Sequence, residues 1–390
     1  MNNSLRFFLC SFLLSGLATT AIAGQRNEDC KACHPLIYSE FHNSAHRKSS
    51  IFEDDIHQAV WNVHPLSKQE KYRCADCHTP TDTKLQEALK EGEQAVPEKS
   101  DVQTEEAISC SYCHSIEKIE EHADSYNRNI LSKKSGTFFS ADESRRDKKI
   151  TFHEKKSFFG LVTKSTGSPF HNIDFTNPNF YSGKVCMGCH AHFENKQGQN
   201  VCRAEISDDN AKSNCITCHM PKVSGSATTI KITPTHTSHD FAGARNRPDM
   251  LAGYLDMAIN KADAGFTVTL KNHATHKLFL QPLRLALLKI SIQRKGKTIA
   301  LKPVPFFRVL GKDGKPAMPW NATGVFKDTM LNAGESRTVS FDTVLQSGDV
   351  VESDFGFFLV NPKVVKKFQL ENSEQATRFN LLKKTRLVVD

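Results

Sequence analysis

Ten of the twelve cysteines in this 390-residue chain fall into five Cys-x-x-Cys pairs, and a histidine follows every pair. The five are Cys30, Cys33 and His34; Cys74, Cys77 and His78; Cys110, Cys113 and His114; Cys186, Cys189 and His190; and Cys215, Cys218 and His219. Two thiols at this spacing can add to the two vinyl groups of a haem as thioethers. The imidazole of the next residue then lies beneath the iron as its proximal ligand. Zinc ribbons or disulfides would use the same cysteines without needing the histidine. Histidine is 17 of the 390 residues, so its chance placement after all five pairs is on the order of one in ten million. The expectation is five covalently attached haems c, with His34, His78, His114, His190 and His219 as proximal ligands.

Twelve histidines remain to supply the opposite axial ligands: His42, His46, His57, His64, His122, His153, His171, His192, His236, His239, His273 and His276. Methionine is a weaker source, because Met187 lies inside a motif and Met220 directly follows one. His42 and His46 are four apart, so on a helix they would share a face and either could turn towards an iron. His273 and His276 are three apart beside a strand-like run. On a strand they would point to opposite faces, and at most one should reach a haem. Cys202 is left without a protein partner, which suits a small buried hydrophobe better than a reactive thiol.

All five motifs lie before residue 220, at about 40 residues per motif. So little chain cannot wrap each haem separately, so the haems must pack on one another among short helices and loops. Leu36–Lys48 has helical composition. Asp82–Gly92 has an Asp start, Leu85 and Leu89 four apart, and a Gly stop. Thr104 followed by two Glu signals a short helix leading into Cys110. After residue 250 there is no cysteine, and the pattern changes to period two. Phe266–Leu270, Leu285–Ile292, Arg337–Phe341, Phe355–Val360 and Arg378–Val389 read as strands, with Gly314, Gly334 and Gly348 marking turns. The expected fold is α+β: a haem domain over 24–245, followed by an antiparallel β-sandwich-like domain over 250–390 docked on it.

The first 23 residues read as an export signal. Arg6 is the only charge, Phe7–Ala18 is apolar, and Ala21-Ile22-Ala23 fits a cleavage site. Cys10 lies within this stretch, outside the small-residue context of a lipid-attachment site. The periplasm is therefore the expected compartment. The formal charge is +8 and the mean hydropathy −0.45, and beyond the leader no apolar run reaches the ~20 residues of a membrane-spanning helix. Haem propionates would offset most of the positive charge, so nucleic acid is a poor partner despite the basic balance. Lys133–Lys164 holds nine Lys or Arg against four acids. It is either a solvated loop or a docking patch for an acidic redox partner or an anionic substrate.

Several stretches outside the cysteines resemble the multihaem cytochromes c of the c-554 type (c-552/4-like), here pentahaem with a C-terminal β-domain. Cys30–His46, reading CKACHPLIYSEFHNSAH, is similar to that family's opening element. Ser168-Pro-Phe-His171, followed by Asn177-Pro and Cys186, resembles the segment before a later haem. Asn214–Lys222, reading NCITCHMPK, resembles its Cys-x-x-Cys-His-Met-Pro element, and His236–Gly243 the His-x-Phe-x-Gly turn that follows. Asn272–His276, with Pro282 and Arg284, resembles the first strand element of a C-terminal domain. The resemblance implies His46, His171, His239 and His276 as distal ligands. The fifth is expected from His57 or His64, both in IHQAVWNVHP. One departure stands out. The chain has no Cys-x-x-Cys-Lys motif of the kind that marks the catalytic haem of the multihaem nitrite reductases, and no equivalent of the crosslinking Tyr of hydroxylamine oxidases is apparent.

Two functions from different classes follow. The first is a periplasmic electron carrier between a membrane quinol-oxidising system (a quinol dehydrogenase) and a terminal reductase. The second is an enzyme that reduces or oxidises a small nitrogen or sulfur compound at one five-coordinate haem. His122, His153 and Arg128 are then the weak candidates for proton donors. A β-domain that serves only to dock a partner is a third, lesser reading. Catalytic residues are not identifiable from the sequence, and no motif for hydrolysis or nucleotide binding is present.

Overall fold

A computed structural model describes residues 26–121, 123, 129–157, 162–190, 194–201, 214–279 and 281–390. The export segment, His122, Arg128, His192 and Cys202 lie outside the described residues.

The N-terminal half is built from short helices separated by loops. Helix α1 (Pro35–Asn43) begins directly after the first motif, with Pro35 at its first position, where a missing N–H costs nothing. It is shorter than its composition suggests, because Ser44 turns extended and ends it. Helix α2 (Asp55–Val63) is capped by Asp54, which accepts from the His57 N–H at 3.0 Å. Helix α3 (Thr83–Lys90) follows the expected pattern. Asp82 caps it by accepting from the Leu85 N–H, and Leu85 and Leu89 are its buried residues. Four of the Cys-x-x-Cys-His motifs coincide with single helical turns, at Ala75–His78, Met187–His190, Cys110–His114 and Cys215–His219. Ser109 and Asn214 cap the last two. A turn of helix brings both cysteines and the histidine of a motif onto neighbouring positions.

Between the third and fourth motifs the chain forms a free-standing antiparallel hairpin of strands β1 (His153–Ser157) and β2 (Val162–Thr166). The C-terminal half is two facing antiparallel sheets. One is three-stranded, with β4 (Gly265–Asn272) between β3 (Leu255–Ala262) and β8 (Ser336–Phe341). The other runs β6 (Lys297–Ala300), β5 (Leu285–Arg294), β9 (Val350–Phe358), β10 (Asn380–Val388), with β7 (Val304–Phe306) also pairing to β5. Alternate residues of each strand turn inward, so Met257, Ile259, Val268 and Leu270 meet Leu288, Ile290, Ile292, Val351, Phe355 and Phe357 in one core. The turn from β3 to β4 requires glycine at 265. Its φ is +149°, and a Cβ there would lie 2.0 Å from the Phe341 carbonyl oxygen. The fold is thus α+β, as the change in patterning along the chain implies.

The two halves share packing. Ile56 and Ala59 of α2 belong to the same core as Val365, Phe368 and Leu370 of the β-rich half. Arg245 bonds Asp54 at 2.7 Å and reaches Gln375, which in turn bonds Asp55. Asn195 donates to the carbonyls of Pro319 and Ala322, both at 2.7 Å. The Tyr254 hydroxyl bonds the Cys218 thiol.

Candidate haem sites

Four of the motif histidines face a second histidine across a gap of one length. Ring centres lie 6.5 Å apart for His34 and His171, 5.9 Å for His46 and His190, 6.2 Å for His114 and His239, and 6.1 Å for His219 and His276. An iron held by two imidazoles through Nε2 sets ring centres about 6 Å apart, since each iron–nitrogen bond is about 2 Å and each ring centre lies about 1 Å beyond its nitrogen. The residues present therefore fit a haem at these four positions.

In five of these eight rings the other nitrogen is prepared for the same task. Nδ1 of His34 lies 2.7 Å from the Ala227 carbonyl, that of His114 2.7 Å from Phe139, that of His239 2.9 Å from Thr237 and that of His276 2.8 Å from Lys277. His219 makes the same bond to Ala242. A proton donated from Nδ1 to a carbonyl leaves the Nε2 lone pair free for a metal. Burial also lowers the pKa of His46, His114, His171, His190, His239 and His276. His46 and His239 are each pushed down to about 3, chiefly by desolvation, with His190 and His114 respectively as the nearest added positive groups.

Local structure explains which histidine of each close pair turns inward. His42 lies on α1 and stacks on Tyr38 at 5.4 Å. His46 lies beyond the end of that helix, so the two do not share a face. His273 bonds Asp256 at 2.6 Å at the surface, while His276 turns the other way, towards His219. His236 is buried between the Gly225 carbonyl and Glu40. His153 is exposed and bonds Thr151.

The second motif is different. His57 lies with its ring centre 4.0 Å from that of His78, and both Nδ1 atoms face the Ser49 carbonyl, at 3.2 and 3.3 Å. No iron fits between rings so close. Nε2 of His57 instead meets the Tyr72 hydroxyl at 3.3 Å. His64 does not stand across from His78 either. Its Nδ1 accepts from the Leu66 N–H at 3.1 Å, which puts the ring proton on Nε2, and its ring packs on Trp320 at 4.8 Å. Neither candidate takes the position that the other four distal candidates take.

Thiol and ring contacts show which sites adjoin. The thiols of Cys30 and Cys110 are hydrogen-bonded to each other, as are those of Cys186 and Cys215. The Phe138 ring stands between His114 and His171, at 5.9 and 4.5 Å. Phe241 touches both His46 and His239, at 4.2 and 5.8 Å. The first, third, fourth and fifth motifs thus form a continuous series, in the order one, three, four, five. Half-buried Tyr112 lies under the Lys133 ammonium at 3.5 Å, within electrostatic reach of Cys189, Cys77 and Cys113. These aromatic residues and the carbonyl acceptors were not singled out from the sequence. Only Phe241, inside the His-x-Phe-x-Gly turn, carried a signal.

Residues 29–115 match the family model described as cytochrome c554 and c-prime. This stretch, which holds the first three motifs, is similar to that family. The penta-heme cytochrome c552 from Thermochromatium tepidum has the same fold, with a TM-score of 0.70 over 94 % of this chain and 99 % of that one at 19 % identity. No curated protein matches the sequence. Among the described residues no helix is long and apolar enough to cross a membrane.

Proposed function

We propose that the chain is a multihaem c-type cytochrome that carries five covalent haems c on its five motifs and acts in the periplasm. There it passes electrons from a membrane quinol-oxidising system to a terminal reductase. Four irons take the histidine pairs 34/171, 46/190, 114/239 and 219/276. The observation that carries this reading is the near-constant 5.9–6.5 Å separation of those pairs. An iron capped on both faces changes oxidation state with little rearrangement and offers no place for a substrate. The exported location rests on the leader sequence. The continuous series of adjoining sites gives electrons a path from one end of the haem domain to the edge of the β-rich half, where Tyr254 meets Cys218.

One observation favours a second role. His57 lies beside His78 rather than across from it, so an iron on Nε2 of His78 would keep an open face. A small nitrogen or sulfur compound could bind there, with the other four sites supplying electrons. A count of haems and spin states tests both readings. A pyridine haemochrome assay should return about five haems per chain, and EPR of the oxidised protein should show at least four as low spin. Carbon monoxide added to the reduced protein should bind to none if the cytochrome is a carrier alone, and to one if the Cys74–Cys77 site is open. More than one bound CO per chain would refute the four histidine pairs.

A further inference from the structure

Hairpin β1–β2 breaks a local rule without a structural return. Lys155 and Lys164 are directly opposite each other across the two strands, where like charges repel. Neither has an acidic partner among the described residues, although nearby cations do. Arg145 pairs with Asp142, Arg146 with Glu143, Lys149 with Asp174 and Lys156 with Glu154. Lysines that merely protect an exposed strand edge would not need to face each other. Every described residue of 151–157 and 163–166 is exposed. A feature that costs stability and is exposed at each of these described residues belongs to something outside the fold.

The hairpin stands next to one particular site. Strand β2 ends at Thr166, and five residues later the chain reaches His171, opposite His34. Gly167 lies against the Thr151 carbonyl, which closes the hairpin base. Phe170, beside His171, is 59 % exposed. The other side of the same site also presents apolar side chains. The loop whose Ala227 carbonyl bonds His34 and whose Thr229 N–H donates to the Cys33 carbonyl carries Ile230 and Ile232, 66 % and 75 % exposed. Leu36, two residues after His34, is 45 % exposed. Segments holding both histidines of one site thus carry uncovered apolar residues, with lysines alongside. An apolar centre with a charged rim is the composition of a transient protein interface.

We propose that this end of the molecule, around His34 and His171, is the electron port, and that the Lys155–Lys164 hairpin docks an acidic redox protein there. The proposal rests on the electron-transfer reading above. In the docked encounter one electron passes from the partner's reduced centre to the ferric haem on Cys30 and Cys33. The partner is oxidised by one electron and the haem reduced to the ferrous state, with no bond made or broken.

The test uses reduced plant-type [2Fe–2S] ferredoxin as an acidic donor, of sufficiently low potential at about −400 mV, in stopped flow against the full holoprotein. Reduction of the native protein should slow steeply as salt rises. K155E/K164E should be about tenfold slower at low salt and nearly insensitive to salt. I230S/I232S should be slower at every salt concentration. K297E/K312E removes the same charge from exposed positions in the β-rich half and should behave like the native protein. If K297E/K312E slows as much as K155E/K164E, net charge alone governs the encounter and the port is refuted. If K155E/K164E loses binding to phosphatidylglycerol vesicles while its ferredoxin rate is unchanged, the hairpin binds a membrane and the port is likewise refuted. Neutral reduced lumiflavin should reduce all variants equally. If it fails to reduce the native protein, the electron-transfer reading itself fails, independently of the docking site.

Discussion

His276 tests the link between the β-rich half and the haem sites more sharply than any other residue. It lies just beyond β4, with its carbonyl held by the Asn272 side chain at 3.0 Å and its Nδ1 by the Lys277 carbonyl at 2.8 Å. Its ring faces His219 at 6.1 Å with the planes 17° apart. In His276→Ala the opposite ligand of one iron is lost and no other described histidine is in place to substitute. One of the five motifs is affected, so one fifth of the haem iron should pass from low to high spin. Bound carbon monoxide should rise by one per chain over the native protein. Millimolar imidazole should enter the vacated space and restore the low-spin spectrum, which a merely destabilised fold would not do. EPR spin quantitation and CO titration read both effects. An unchanged spin count would refute the pairing of His276 with His219. A high-spin fraction well above one haem would show that the substitution disrupts neighbouring sites, and that the contact is structural rather than a single ligand bond.

Three further outcomes follow from the same geometry. The rings of His46 and His190 are 76° apart, whereas those of the other three pairs lie within 30°. Crossed planes leave the iron d orbitals nearly degenerate, so one haem should give an axial low-spin EPR signal at high g and three should give rhombic signals. His46→Ala should abolish only the axial one. Asp54→Ala removes both the α2 cap and the partner of Arg245; a loss of about 2 kcal/mol in a denaturant titration is expected. The Asp349 carboxyl is held below its usual range by hydrogen bonds from Arg294. Its contribution is complete above the unfolded value of about 4 and is lost as pH falls through the folded value. Asp349→Asn should therefore lower stability at pH 6 but change it less at pH 3, as read by urea melts.

Much of this was legible because the chemistry is local. A Cys-x-x-Cys-His motif needs only one turn of chain, and the strands of the β-rich half alternate cleanly, as the buried positions of β5 show. His171, His239 and His276, which the family resemblance implied as ligands, face the motif histidines His34, His114 and His219 across 6.1–6.5 Å. The second site was not legible. Its outcome depends on Ser49, whose carbonyl draws two imidazoles to one side, and on Tyr72, whose hydroxyl takes the remaining nitrogen of His57. These three residues are separated by loops and share no motif. The orientation of His64 depends on a similarly local contact: its Nδ1 caps the turn that begins at Pro65.

The placement of that second site gives it a distinct standing in the molecule. Tyr112 is within electrostatic reach of Cys77 as well as Cys113 and Cys189, which sets the Cys74–Cys77 site near the third and fourth motifs, in the middle of the series. Helix α2, which carries His57, packs into the core of the β-rich half and is tied to it through Asp54, Arg245 and Gln375. A terminal site exchanges electrons with partners at the surface. A site held between two packed halves is better suited to receive electrons from either direction and to have its surroundings set by the contact between them. If the open face is real, weakening that contact at Arg245 should change carbon monoxide binding at this site. The low-spin signals of the four paired sites should be unchanged.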